Sequence, residues 1–425
     1  MTGAMYAAVS GLKAHMNALN VIGNNISNVN TLAYKATRYT FNESLYTSSR
    51  SGSNGTDQVG GRNPAQIGYG CSIGTIDLDM STKNYTPTGR PLDTMIDGDG
   101  FFMVGDKTKL GVRTQDMLQG MRLTRLGNFE FDSQGWLVDG NGNVVYGFLR
   151  MTTPDTVYKA QLTDGVATDE DLTYPSEDDV PENALTSPIL TGFRYPNCVL
   201  YTNPTTGNAE TIIVWPRLVD GQVVDIESLD DLQTALADPA YLAQYSADDL
   251  AVLQGTTEGE EQPKLEFGRL QPDTVSIDEK SGAITIVTKD EKQFVIGYLA
   301  LAKVDNPNGV THVDGRYYQA MGGAGNVHLT SVGGAIQFVP GAGGEGDEEG
   351  IVWTYGVDEN GNPFSNLTVE SSGGTNLVTG GLESSGTDLA TEISNMVVIQ
   401  RGYQANTRIV SVTDSMLEEL VNMKR

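Results

Sequence analysis

The sequence predicts a mainly β, multidomain fold with nested insertion, whose N- and C-terminal α-helices form a coiled-coil-like inner domain. Three observations predict it. Apolar residues recur at heptad spacing at both chain ends and nowhere between. The middle turns to period-two runs punctuated by Asn-Gly pairs. Glycine numbers 50 in 425 residues without a collagen-like period. Asp plus Glu number 54 against 27 Lys plus Arg, so the net charge is 27 − 54 = −27. Such a chain repels phosphate backbones, which sets nucleic acid aside as a partner. No apolar run approaches the ~18 residues of a membrane-spanning helix, so no membrane insertion is expected. Met1-Thr2-Gly3-Ala4-Met5 lacks the basic and apolar regions of a cleaved signal peptide. Two cysteines, Cys71 and Cys198, cannot build a disulfide framework, and three histidines limit catalysis or metal binding.

The first element is a helix whose seam reads Met5, Val9, Leu12, Met16, Leu19, Gly23 and Ile26, in alternating steps of four and three. It dissolves at Asn24 to Thr31, where Asn and Ser compete for backbone hydrogen bonds. Further on, Phe129–Asp132, Trp136–Val138 and Val144–Phe148 read as strands joined by glycine turns. Asn-Gly pairs at Asn54, Asn141, Asn308 and Asn360 mark hairpins, and Ser281-Gly282 marks another. No Lys or Arg occurs between Lys159 and Arg194, nor between Arg217 and Lys264, and residues 230–253 carry a short helical pattern. The last seam runs Leu389, Ile393, Met396, Gln400, Tyr403, Thr407, Val410, Asp414, Leu417 and Val421, with Ser385, Thr387 and Asp388 as N-cap candidates. The expected division is a terminal helical domain at 1–30 and 385–425, an extended connecting region at 31–70 and 366–384, a β-rich middle domain at 71–150 and 268–365, and an inserted acidic outer domain at 151–267.

Several motifs look like chemistry and fail on their context. Gly341 to Gly346 spells G-x-G-x-x-G, but Asp347-Glu348-Glu349 follows where a phosphate cradle needs a helix start. Asp139 to Asn143 begins like a calcium loop, yet Val144 and Arg150 stand where its glycine and bidentate glutamate belong. Asp97-Gly98-Asp99-Gly100 reads as a tight turn. His15 reads as a solvated flank of the seam, and His312 and His328 fall in turn-rich segments without a second ligand nearby. Cys198 reads as a small buried residue. No catalytic residue, metal ligand or cofactor site is expected. An extracellular carbohydrate- or calcium-binding β protein is the competing class; it needs an organised ligand cluster and has no use for two heptad ends.

The run Ser10-Gly11-Leu12-Lys13-Ala14 through Leu19–Lys35 closely resembles the signature of bacterial flagellar rod and hook proteins, in which Asn24, Asn25, Asn28, Asn30, Thr31, Tyr34 and Lys35 stand at motif positions. Ala33 occupies the place of the usual glycine. Near the other end, Gly381 to Leu389 resembles the segment leading into that family's last helix, with Gly386-Thr387 where Asn-Val is common. Gln400, Arg401, Tyr403, Gln404, Ala405 and Asn406 then match, as does Asp414–Leu417. Inside the chain, Pro91–Phe102, Thr124–Phe129, Gly297–Ala302 and Asn306–Val310 are similar to the family's shared β domain.

The resemblance implies a structural protein that polymerises with itself into a curved helical tube joining rod to filament, with the terminal helices innermost. Length and the large insert favour the hook branch of the family over the distal rod branch. The implied partners are further copies of the chain, the rod and hook–filament junction proteins, the hook cap during assembly and the flagellar type III export apparatus. The implied location is extracellular, in the hook and basal body, reached without a cleaved signal. On this reading the seam residues are buried only between subunits.

Overall fold

The computed structural model describes residues 2–55, 60–107, 112, 115–149, 157–163, 166–173, 190–202, 209–219, 222–237, 241, 245, 247–254, 265–289, 292–332, 351–355, 369–370 and 375–423. It is mainly β with a helix at each end, and it divides into two compact units, Met1–Lys83 with Ser384–Arg425, and Asn84–Glu383.

In the first unit the N-terminal helix spans Thr2–Ser27 and the C-terminal helix Leu389–Met423. Asp388 caps the latter: its Oδ1 accepts from Ala390 N at 3.1 Å, and its Oδ2 from Thr391 Oγ1 at 2.6 Å. Between the helices lie four strands, β1 (Thr37–Glu43), β2 (Tyr46–Arg50), β3 (Ala65–Gly68) and β4 (Cys71–Leu78). β1 pairs β4 and β2 pairs β3, both antiparallel. The stretch expected as an extended connection is therefore a two-stage β-ribbon. β4, expected to open the middle domain at residue 71, belongs here because it pairs with β1 from Thr37↔Leu78 to Glu43↔Cys71, with one register shift between Tyr39 and Phe41. One face of that pair carries Tyr39 and Ile73 onto Ala18 and Ile22 of the first helix. The strands are rich in Thr, Ser and Gly and largely exposed, so no clean alternation announces them.

The second unit is built around Gln293–Val304, in which Ile296 to Ala302 are all buried. Its first half pairs Ala283–Val287 and Val144–Leu149, and its second half pairs Phe101–Gly105 and Val327–Ser331. With neighbours along both edges and both faces covered, the strand reads as a continuous apolar run rather than an alternation. The hairpins expected at Ser281-Gly282 and around Gly135 form, with positive φ at Gly282 and Gly135. At Asp139–Asn143 the turn is organised by a buried carboxylate. Asp139 Oδ1 accepts from Asn141 N and Asn143 N, each at 2.9 Å, and its Oδ2 accepts from the Tyr317 hydroxyl. Asn308-Gly309 does not turn a hairpin; it sits in the 3₁₀ turn Pro307–Gly309. His312 and His328, expected in turns, lie on the strands Thr311–Asp314 and Val327–Ser331.

The acidic insert is less separate than its charge suggests. Phe193, Cys198, Ile213 and Trp215 share one core with Phe102, Phe129, Leu299 and Leu301. Leu190–Gly192 pairs directly with Val144–Leu149. Phe193 sits so close to Gly147 that a Cβ there would lie 2.3 Å from its ring. Along Asn197–Thr202, Cys198 faces that shared core. Val199 and Tyr201 face a second cluster completed by Leu232, Tyr241 and Leu253, with the short helices Leu229–Ala235 and Ala247–Leu253. Burial drives the Cys198 thiol pKa up to about 11, so it packs as a neutral group. Val157–Thr163 pairs both Val166–Thr173 and Ile351–Tyr355, joining the insert to the segment after it. The Gly341–Gly346 motif lies outside the described residues.

Candidate functional site: the paired terminal helices

The two terminal helices run antiparallel, and three facing pairs set their register. Asn25 meets Glu392, His15 meets Gly402, and Gly11 meets Asn406. The approach is close: a Cβ on Gly11 would lie 2.6 Å from Asn406 Nδ2, and one on Gly402 would lie 2.8 Å from the His15 ring. The buried stripe of the first helix is accordingly one of small residues, Ala8, Gly11, Ala14 and Ala18, finished by Ile22 and Asn25. Ile399 and half-buried Met396 face it. His15, expected as a solvated flank, is half-buried, edge-on to Phe41 at 5.5 Å, and burial lowers its pKa.

The Asn-rich motif ends the first helix by tying it to the returning chain. Asn25 is buried and its amide is fully engaged. Nδ2 donates to Glu392 Oε1 at 2.8 Å and Thr37 O at 2.9 Å, while Oδ1 accepts from Thr37 N at 3.0 Å and the Tyr34 hydroxyl at 3.1 Å. Burial raises the Tyr34 pKa and keeps it a neutral donor. Asn24 Nδ2 donates to the Tyr34 oxygen, Asn28 Nδ2 to Asn24 O, and Thr31 Oγ1 to Asn28 Oδ1. The return segment completes the clasp. Ser385 Oγ donates to Asn28 O at 2.8 Å, Gly386 N to Tyr34 O at 2.7 Å and Thr387 Oγ1 to Asn25 O at 3.1 Å. Lys35 is 0% exposed and donates to the carbonyls of Met80 and Ser81, which moors β4 to the same knot. Asn30 and Thr31 are exposed.

Ala33, in the glycine position of the motif, has φ 56 and is the one positive-φ non-glycine residue among those described. Left-handed backbone costs an L-residue ~1–2 kcal/mol, but glycine would add unfolded-chain entropy and remove a buried methyl worth ~0.8 kcal/mol. Ala33→Gly is therefore expected to be nearly neutral, whereas Ala33→Val, β-branched and buried, should cost ~2 kcal/mol or more by denaturant titration.

Asp79, at the end of the same knot, is subject to opposing effects. Burial pushes its pKa up, but hydrogen bonds from Lys83 Nζ at 2.7 Å and from Ser81 outweigh this and bring it to about 2. Its stabilisation is complete above the usual carboxylate pKa and disappears as pH falls towards 2. Allowing for its exposure, Asp79→Asn should remove roughly 1 kcal/mol at neutral pH and flatten the acid limb between about pH 4 and 2.

The large apolar residues of the two seams face outward or only half inward. Met5, Val9 and Met16 are exposed, and Leu12, Leu19 and Ile26 are half-buried. On the last helix Leu389, Ile393, Tyr403, Leu417 and Val421 are exposed, while Met396 and Val410 are half-buried. A second exposed stripe was missed: Val398, Ile409, Val412, Met416, Leu420 and Met423. From Ile409 onward its steps of three and four are readable in the sequence, beside the single seam expected on this helix. Of the remaining motif residues, Gln400, Arg401, Gln404 and Ala405 stand on the exposed side and Asn406 turns towards Gly11. Beside the first helix an open groove of about 830 Å³ is lined by Tyr6, Ser10, Glu43, Leu45, Tyr46 and Tyr69. Its one acid, Glu43, accepts from the Tyr46 hydroxyl at 2.7 Å. No helix among the described residues is long and apolar enough to cross a membrane.

Two long, clasped terminal helices at the ends of a mainly β chain coincide with two family matches. Residues 5–35 match the flagella basal body rod protein family, and residues 378–423 match the C-terminal family of flagellar basal body rod FlgEFG proteins. The chain is a protein of the flagellar rod and hook family. End to end, it is the hook proteins that it resembles. It is 26% identical to the flagellar hook protein FlgE of Borreliella burgdorferi over 100% of both chains, and 25% identical to that of Salmonella typhimurium over 98% of this chain and 99% of the other. The flagellar basal-body rod protein FlgG of Bacillus subtilis is 42% identical over 142 residues, 33% of this chain and 50% of that protein.

Proposed function

We propose that this chain is a structural, non-enzymatic subunit of the bacterial flagellar hook, polymerising through its terminal helices into a curved tube. The tube links rod to filament, transmits motor torque as a universal joint and encloses the export channel. The observation that carries this reading is the row of large apolar side chains left exposed along the whole C-terminal helix, on a chain that aligns with hook proteins from end to end. Exposed apolar stripes of that length call for a partner. Further copies, in head-to-tail contacts that do not close, satisfy every subunit identically and generate a helix. Knob-into-hole packing of these helices gives a stiff inner wall, while polar outer domains make wetter contacts that can slide as the tube bends. The rod, the hook–filament junction proteins, the cap and the type III export apparatus are the corresponding partners, and the site of action is outside the cell.

The higher identity of the rod-protein match favours a second reading, the distal rod. It covers only a third of the chain, whereas the hook alignments account for the insert region as well. Electron microscopy of the purified chain under polymerising conditions separates the two. Long curved tubes are expected. Short straight rods, or a chain that stays monomeric under every such condition, would overturn the hook reading.

A further inference from the structure

The Asn-Gly pairs differ in what holds the glycine nitrogen. Gly142 N–H donates to Asp139 O at 2.9 Å, and Gly309 N–H donates to Asn306 O at 3.0 Å. Asn360 lies outside the described residues. Asn54 and Gly55 are both exposed, one step beyond the Ser53↔Arg62 bridge that ends the β2–β3 ribbon. Among the described residues nothing accepts a hydrogen bond from Gly55 N–H. Ser53 N donates to Arg62 O and Arg62 N to Ser53 O, both at 3.0 Å, so the chain is anchored up to Ser53.

We propose that Asn54 is a site of spontaneous backbone-assisted deamidation, and that the folded chain spares Asn141 and Asn308. Hydroxide removes the Gly55 N–H proton, the nitrogen attacks Asn54 Cγ, and ammonia leaves to give a five-membered succinimide. Water then opens either carbonyl, yielding aspartate or isoaspartate; the net change is asparagine plus water to acid plus ammonia, with no oxidant or cofactor. Glycine supports the attack because it has no Cβ to hinder the turn of the backbone. At Asn141 and Asn308 the same nitrogen must first surrender a backbone hydrogen bond, which raises the barrier. The product places a negative charge at the ribbon tip, and isoaspartate inserts a methylene into the main chain beside the Ser53–Arg62 pair.

The test is peptide mapping of the full chain aged in mildly alkaline buffer, following aspartate and isoaspartate at each pair. In the folded chain Asn54 should convert at least about tenfold faster than Asn141 and Asn308. In urea the three rates should converge, and Gly55→Ala should slow conversion at Asn54 alone. Comparable rates at the three sites in the folded chain, or the same ranking retained in urea, would overturn the assignment. Neither result bears on assembly, so the proposed function stands or falls separately.

Discussion

Asn25→Leu should destabilise the first unit by ~3–5 kcal/mol, since it strips four hydrogen bonds from buried or half-buried partners at once. The side chains are similar in volume, so the loss measures polar satisfaction rather than a cavity. Glu392 Oε1, Thr37 N and O, and the Tyr34 hydroxyl would each lose a partner held at 2.8–3.1 Å. The readout is amide hydrogen exchange. Protection should fall in both terminal helices and in β1, while the central strand Gln293–Val304 keeps its own. Asn30→Leu, in the same motif but exposed, should stay within ~0.5 kcal/mol of the parent. A loss below ~1 kcal/mol at Asn25 would show that water or neighbouring groups replace the amide, and the clasp would then not hold the helix pair in register.

That pair of variants also marks how far the sequence could be read. The existence of both terminal helices followed from period alone, and the Asn-rich run was visible as a helix end. Its role as a clasp was not, because Ser385, Gly386 and Thr387 reach it from more than 350 positions away. Large apolar residues dominate a heptad pattern, which points to Met5, Val9 and Met16. Close packing against the other helix instead selected Gly11, Ala14 and Ala18, which let two backbones approach. Small residues carry little hydrophobic signal, and only the facing Gly402 and Asn406 give them meaning. The insert's acidity conceals its packing for a related reason. Charge composition reports the solvent face, whereas Cys198, Ile213 and Trp215 join the neighbouring core through the other face of the same strands. His15 looked like a flank because a helix surface position does not reveal that Phe41 covers it.

Leu417→Asp is expected to abolish tube formation while leaving the subunit's own melting almost unchanged. In the single chain Leu417 is 38% exposed, so a carboxylate there remains hydrated. In the proposed inner wall the same position enters a packed apolar layer. An unpaired charge there costs ~3 kcal/mol or more, a penalty repeated at every subunit. A polymer cannot dilute a defect carried by each of its members, so elongation should fail rather than slow. Leu12→Asp should also block assembly, but with a visible loss of monomer stability, because Leu12 is already half-buried. Glu418→Lys, adjacent on the chain but turned off the seam, supplies the control: it alters charge without entering the layer, and tubes should form. Sedimentation and imaging report assembly, and calorimetry reports the monomer. Normal tubes from Leu417→Asp would remove Leu417 from the subunit interface, and a collapsed monomer melt would place it in this chain's own core instead.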